Sequence, residues 1–323
     1  MTSSDPSVCY VVLNWNQPGL TAECLESLAV QAYANYHVVV VDNGSTDGSA
    51  GLLAERFPWV TMLELQDNVG YSAGNNAGID YALAQGADYI LLLNNDTLVD
   101  PHMLARLVAA AEADPSIGIA GPTMYYAEPP TLIWGSENRI DWRTGSLIRG
   151  QMGETADQQR LDRLPPRPVD YVDTCAALIR REVFERIGGM NDDYFINFDD
   201  LDLNVRASKA GYQIVYVPAA RMWHRVSLTM GQASPATTYY MTRNALIFFW
   251  SHAPGVWRLL ASLQIVWRTL WAVSAWSVKR RYRSDLYRRK RKANLLALRD
   301  FAAHRWGRMG PDVTRVCYGE GSR

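Results

Sequence analysis

The stretch Leu91-Leu92-Leu93-Asn94-Asn95-Asp96-Thr97 decides how this chain is read. Its apolar run suits a strand buried on both faces of a parallel sheet, where the usual in-out alternation disappears. The run then stops in two amides and a carboxylate. In an open α/β sheet, ligands bind in the crevice beyond the carboxyl ends of the strands. Asp96 is therefore aimed at whatever the protein holds. Asn-Asn-Asp is also good turn chemistry, so the stretch alone leaves a plain turn as the alternative.

The same grammar repeats on both sides of it. Residues 8–13 read as a first strand that closes into Asn14-Trp15-Asn16-Gln17-Pro18-Gly19. Residues 36–41 read as a second, closing into Asp42-Asn43-Gly44-Ser45-Thr46-Asp47-Gly48, and residues 60–65 as a third, followed by a glycine- and asparagine-rich run over 68–78. Helical spacing falls between them, at 21–31, 49–56 and 75–85, and again from Pro101 to about 113. Alternating units of this kind build a parallel sheet with helices on both faces. Another strand is expected at 117–120. Beyond Pro122 the pattern loosens into strands and turns over 125–150 and a polar, proline-rich loop over 153–168. Strand character returns at 169–179 and 212–217, on either side of an acidic cluster at 192–203 whose helix should stop at Gly211.

A chain of 323 residues can hold one large α/β domain with an appendage, or two small domains. The net charge of -1 hides an asymmetry, because residues 279–308 carry Lys279-Arg280-Arg281 and Arg288-Arg289-Lys290-Arg291-Lys292. Such a tail points to anionic lipid or to a solvated helix face; without an RNA-binding motif, nucleic acid is set aside. The four cysteines have no metal-ligand spacing and suggest no disulfide framework, and residues 1–7 lack the features of a signal peptide. A cytoplasmic setting is expected.

From residue 239 onward helical segments and tryptophans dominate. The helix expected over 256–278 is long enough to tempt a transmembrane reading, since about 20 apolar residues span a bilayer. Arg268 at its middle argues against this, costing about 2.5–3.5 kcal/mol on insertion. Two readings stay open. The helix lies in a membrane interface with residues 279–283 on anionic lipid, or it packs on the rest of the chain or on a second copy as a homodimer.

Parallel strands put their carboxyl ends on one side, so Asp42 and Asp96 should face a common cleft. An oxygen-rich site with one or two carboxylates suits Mg²⁺ or Mn²⁺ shared with substrate phosphates. His224 would complete such a shell for Mn²⁺, and an uncoordinated carboxylate could act as general base. Blander roles compete: a cap for Asp96, a helix-dipole partner for Asp199 and Asp200, simple packing beside Trp223 for His224.

Five segments together resemble the inverting nucleotide-sugar glycosyltransferases of family 2, over roughly residues 8–244. They are Val11-Val12-Leu13-Asn14-Trp15-Asn16, Val40-Val41-Asp42-Asn43-Gly44-Ser45-Thr46-Asp47-Gly48, the run 68–79, Leu93-Asn94-Asn95-Asp96, and Phe198-Asp199-Asp200-Leu201-Asp202-Leu203 with Arg206 and Gly211. The resemblance implies the α/β GT-A fold, with a mostly parallel central sheet. Residues 1–238 would form the catalytic domain, its donor half at about 1–122 and acceptor half at 123–238, followed by a helical region over 239–323. It places Asp42 on the nucleotide base, Trp15 beside that base and Asp96 on a divalent metal at the diphosphate. Leu13, Asn14, Asn43, Gly70, Asn75, Asn94 and Asn95 would line the donor, and Arg243 would lie near its diphosphate. Asp200 would be the base that activates the acceptor hydroxyl, with Asp199 beside it.

Two departures stand out. Asn94 replaces the first Asp of the family's metal motif, and Asn75 stands where many relatives carry Arg. Both variants resemble a rhamnosyltransferase-like branch of cell-surface polysaccharide assembly, and no Gln-x-x-Arg-Trp motif of processive synthases is present. The resemblance thus implies transfer of one sugar from a UDP- or dTDP-linked donor to a saccharide or lipid-linked acceptor. A sugar nucleotidyltransferase and a non-catalytic glycan- or nucleotide-binding module are the alternatives.

Overall fold

The structure, a computed structural model, describes residues 5–225 and 234–319. Residues 1–4 of the polar N-terminus therefore lie outside the described residues. The elements run β1 (Val8–Asn14), α1 (Pro18–Leu28), β2 (Tyr36–Asp42), α2 (Ser49–Arg56), β3 (Thr61–Glu64), α3 (Tyr71–Ala84), β4 (Tyr89–Asn94) and β5 (Thr97–Val99). There follow α4 (Met103–Ala113), β6 (Ile117–Tyr126), β7 (Ile133–Gly135), β8 (Arg139–Asp141), β9 (Ser146–Ile148), α5 (Gln158–Leu161), β10 (Arg167–Pro168), β11 (Ala176–Arg180) and α6 (Arg181–Ile187). The last are α7 (Asp199–Lys209), β12 (Gln213–His224), α8 (Pro235–His252), α9 (Trp257–Val278), α10 (Asp285–Ala302) and α11 (Pro311–Tyr318).

These residues gather into two compact units. One holds 5–139, 148–190 and 203–225; the other holds 140–147, 191–202 and 234–319. The C-terminal region is thus joined by two short pieces from earlier in the chain.

The first unit is built on a sheet of order β10-β12-β6-β11-β4-β1-β2-β3, with β5 added to β12 and β7 to β6. β1, β2, β3 and β4 are mutually parallel where they pair, and β6 is parallel to β12. β11 runs antiparallel between β4 and β6, which makes the sheet mixed. Its two faces share the strand residues by alternation. Val8, Tyr10, Val12, Leu91 and Leu93 pack on one side with α1 and α4, while Cys9, Val11, Ile90 and Leu92 pack on the other with α3 and α6. Burial on both faces is why these strands read as unbroken apolar runs. α3 lies so close on β1 that a Cβ added at Gly78 would sit 2.3 Å from Val11 Cγ1.

Several elements differ from their sequence expectation. β6 does not stop before Pro122 but continues to Tyr126. Proline gives the ladder no N–H, and its neighbour β12 slips register between Val217 and Arg221, a bulge that accommodates the interruption. Pro101 sits in the turn before α4, where Asp100 Oδ1 accepts from His102 N at 2.9 Å. α3 starts at Tyr71 rather than 75, after Gly70 turns the chain at φ 97°. Residues 169–175 form loop, and only Ala176–Arg180 is strand.

The second unit is helical. α8 packs against α9 and α10, and α11 closes on α8 and α10. A small core of Tyr239, Tyr240, Ala293, Ala297 and Val313 joins α8, α10 and α11. No helix among the described residues is long and apolar enough to cross a membrane.

Candidate active site

The parallel register brings the polar strand ends together. Asn14 at the end of β1 pairs with Asp42 at the end of β2, and Leu13 with Asn94 at the end of β4. Asn14 Nδ2 donates to Asp42 Oδ1 at 2.7 Å and to Ser45 Oγ at 3.2 Å, while its Oδ1 accepts from Thr21 Oγ1 at 2.7 Å. Ser45 adds its hydroxyl to Asp42 Oδ1 at 2.6 Å and its amide to Oδ2 at 2.9 Å. Thr21 accepts in turn from Asn95 Nδ2 at 2.9 Å. A carboxylate has about four lone-pair sites, so Asp42, buried with three donors on it, keeps room for a ligand N–H. Trp15, half exposed at 51%, stands beside this network as a flat apolar surface.

Asn43 ties the second loop to the third. Its Nδ2 donates to Gly70 O at 3.1 Å and Asn68 Oδ1 at 3.2 Å, and its Oδ1 accepts from Val69 N at 3.0 Å. A Cβ at Gly74 would meet Leu13 Cδ1 at 2.6 Å, so the start of α3 presses directly on the end of β1. Asn75 is buried, and its Nδ2 turns back to Tyr71 O at 2.9 Å. Tyr71 reaches Asn94 Oδ1 with its hydroxyl at 2.8 Å. Cys24 lies beneath, its Sγ 3.7 Å from Asn94 O; burial pushes its thiol up to about 12, so it is no nucleophile at neutral pH.

Asp96 and His224, far apart in sequence, are adjacent in space. β5 pairs antiparallel with the end of β12, setting Thr97 opposite His224. Asp96 Oδ1 then lies 3.0 Å from His224 Nε2. Divalent ions of this size bind O and N at about 2.1 Å, which puts two ligands at right angles about 3.0 Å apart. The pair therefore has the spacing of neighbouring metal ligands. No group of three or more His, Cys, Asp or Glu poised for a metal occurs among the described residues, so oxygen atoms of a substrate would have to complete the shell.

A metal-bound His usually donates its second ring nitrogen to a carboxylate or carbonyl. His224 Nδ1 is instead buried without a hydrogen-bond partner among the described residues. Its ring is held by packing: Trp134 meets it edge-on, with centroids 4.8 Å apart at 80°. Arg149 covers the Trp134 ring at 4.1 Å and forms a bidentate pair with Asp173, at 2.9 Å and 2.5 Å. Asn138 Nδ2 adds a bond to Asp173 Oδ2 at 3.0 Å. Burial disfavours the Arg149 charge, but Asp173 more than reverses this, and the guanidinium's pKa is raised. Trp134, Asn138, Arg149 and Asp173 escape sequence reading. Thr21 and Ser45 do so as well.

The acidic pair belongs to the second unit. Asp199 is buried and Asp200 half-buried at the start of α7, a helix that passes from the second unit into the first at residue 203. Asp200 Oδ1 accepts from Leu201 N at 2.8 Å. The residues before it take left-handed backbone: Phe195, Asn197 and Phe198 have φ of 64°, 67° and 70°. Asn244 pins that segment, its Nδ2 donating to the carbonyls of Tyr194, Ile196 and Asn197 at 2.8–3.0 Å. Asp202 Oδ1 meets His252 Nε2 at 2.7 Å.

Arg243 lies on α8 in the second unit. It is fully buried, donating to Asp193 O, Tyr194 O, Tyr239 Oη, Asn244 Oδ1 and Arg305 O, with the Tyr239 and Tyr240 rings within 5.2 Å. An arginine whose donors all face carbonyls and rings holds the segment leading to Asp199 and Asp200 rather than a ligand.

A mixed sheet with a polar edge beyond β1, β2 and β4, and helices on both faces, is the arrangement of the GT-A fold. Solved structures bear out the fold. GalNAc-T7 with UDP, GalNAc and Mn2+ superposes at TM-score 0.62 with 16% identity, over 98% of this chain and 59% of its own. Mannosyltransferase PcManGT from Pyrobaculum calidifontis, in complex with GDP-Man and Mn2+, gives 0.53 with 18% identity, over 94% and 89%. Residues 9–188 match the family model described as Glycosyl transferase family 2, and the chain belongs to that family. It is 29% identical to the N-acetylglucosaminyl-diphospho-decaprenol L-rhamnosyltransferase of Mycobacterium tuberculosis, over 75% of this chain and 85% of the relative. To dTDP-rhamnosyl transferase RfbF of Shigella flexneri it is 24% identical, over 68% and 73%. The chain is a glycosyltransferase of the rhamnosyltransferase-like branch.

Proposed function

We propose that this enzyme is a metal-dependent, inverting transferase that moves one sugar, with dTDP-rhamnose favoured over a UDP-sugar, to a hydroxyl of a lipid-linked saccharide. The donor and acceptor classes rest on what the two rhamnosyltransferase relatives are named for. The observation that carries the metal dependence is the 3.0 Å approach of Asp96 and His224 beside the Asn14–Asp42 edge. In this reading Asp42 accepts from the base, Trp15 covers it, and Asn43 and Gly70 shape the loop around the donor. Asn14 and Asn95 hold the first and fourth strand ends in place. Asp96 and His224 would hold Mn²⁺ or Mg²⁺, which neutralises charge on the departing diphosphate. Asp200 takes the proton of the acceptor hydroxyl as its oxygen attacks the anomeric carbon from the face opposite the leaving group. Asp199, the more buried of the two acids, orients that step. A lipid-linked acceptor would set the reaction at a membrane surface.

The test is a panel of UDP- and dTDP-sugars with a lipid-linked saccharide acceptor, under Mn²⁺, Mg²⁺ or chelator, reading released nucleoside diphosphate. Diphosphate release that stops with chelator is expected. Release of pyrophosphate would assign a nucleotidyltransferase, and donor binding without turnover a binding module.

A further inference from the structure

On a helix at the surface of a soluble protein, apolar residues face inward and polar residues face water. α9 is apolar on both sides. Its inward face is accounted for within the second unit. Ala261, Ile265 and Thr269 are buried, Ile265 lies where a Cβ on Gly145 would come within 3.1 Å, and Arg268 reaches Ser146 at 2.9 Å. On the opposite side Leu260, Leu263, Trp267, Leu270, Trp271 and Val278 follow one another at helical spacing, and every one is exposed. Trp267 and Trp271 are 63% and 66% exposed and stack on each other with centroids 6.1 Å apart. The outward stripe runs the length of the helix.

The chain just beyond the stripe indicates the chemistry of its cover. Lys279, Arg280, Arg281, Arg283, Arg288 and Lys292 are all exposed, and Asp285 is the one acid between residues 279 and 292. Asp285 pairs with Arg288 and Arg289, leaving the cluster strongly positive. An apolar stripe with outward tryptophans, ending in a cluster of cations, complements a surface with an apolar interior and an anionic rim. Tryptophan prefers the headgroup level, and basic residues next to an apolar face add attraction to anionic lipid.

We infer that the outward face of α9, together with the basic residues 279–292, seats this enzyme flat on an anionic lipid surface. The inference rests on none of the transfer chemistry.

The test is co-sedimentation of the full chain, without donor, with vesicles of phosphatidylcholine plus phosphatidylglycerol and with vesicles of phosphatidylcholine alone. Binding is expected to the anionic vesicles, with a blue shift of tryptophan emission, and to weaken in high salt. Arg280→Gln together with Arg281→Gln should weaken it about twenty-five-fold, at about five-fold for each charge removed. Trp267→Ser together with Trp271→Ser should weaken it roughly ten-fold or more. These side chains face outward, so circular dichroism and thermal unfolding should match the parent. Equal binding to neutral vesicles, or unchanged binding by the tryptophan variant, would overturn the inference. So would a dimer that dissociates on Trp267→Ser with Trp271→Ser and binds no vesicle, which would give the face to a second copy. Any of these failures leaves diphosphate release from the donor panel untouched.

Discussion

Replacing Asp173 by Ala takes a buried carboxylate from under Arg149, whose guanidinium then keeps its charge without a counterion. Removing one partner of a buried pair costs about 3–5 kcal/mol. The Arg149 side chain is 27% exposed against 7% for Asp173, so water recovers part of that, and about 2–3 kcal/mol remains. Asn138 Nδ2 also loses an acceptor, which adds about 1 kcal/mol. For a domain of this size each kcal/mol moves the midpoint by about 2–4 °C, so the combined loss of about 3–4 kcal/mol should lower the Tm of the first unit in Asp173→Ala by about 6–16 °C. The second consequence is local. With Arg149 released, Trp134 no longer holds the His224 ring, and Mn²⁺ affinity measured by electron paramagnetic resonance with dTDP present should fall about ten-fold. Arg149→Met added to Asp173→Ala removes the stranded charge, so the double variant should be more stable than the two single losses sum to. A Tm within a degree of the parent, or strictly additive losses, would refute the reasoning.

Asp96→Ala should abolish metal-dependent donor binding in calorimetry, because it removes the anionic member of the Asp96–His224 pair. Asp200→Asn should leave donor affinity within about two-fold while turnover drops by about 10²–10⁴; normal turnover would take the base role away from it. Asn244→Ala strips one amide from three carbonyls in a segment of left-handed backbone, and should cost about 1–3 kcal/mol in denaturant unfolding. It should lower turnover more than donor affinity, since that segment leads to Asp199 and Asp200.

What could be read in the sequence was local. Val8–Asn14, Tyr36–Asp42 and Tyr89–Asn94 each announce themselves as an apolar run ending in amide or carboxylate, and the register does set Asn14, Asp42 and Asn94 on one edge. The antiparallel insertion of β11 between β4 and β6 was not legible, because a short apolar strand looks the same whichever neighbour it pairs with. Asp173, Arg149 and Trp134 were hidden for another reason. Arg149 and Asp173 lie in irregular chain and Trp134 in the three-residue strand β7, too short for any periodicity to mark a face, and their meaning comes only from contact with one another. Arg243 is read from the family pattern as a ligand neighbour, and its surroundings of carbonyls, a hydroxyl and rings were equally hidden, since they come from segments far away in the sequence.

The lacing of the first three βα loops has a consequence for engineering. Asn14 and Ser45 both donate to Asp42, and Asn43 carries that scaffold on to Asn68, Val69 and Gly70. A single exchange at any of these would disturb its neighbours before it touched the base. Altered nucleotide preference should therefore come from transplanting the three loops as one cassette, and piecemeal substitution should yield weakened enzymes rather than redirected ones.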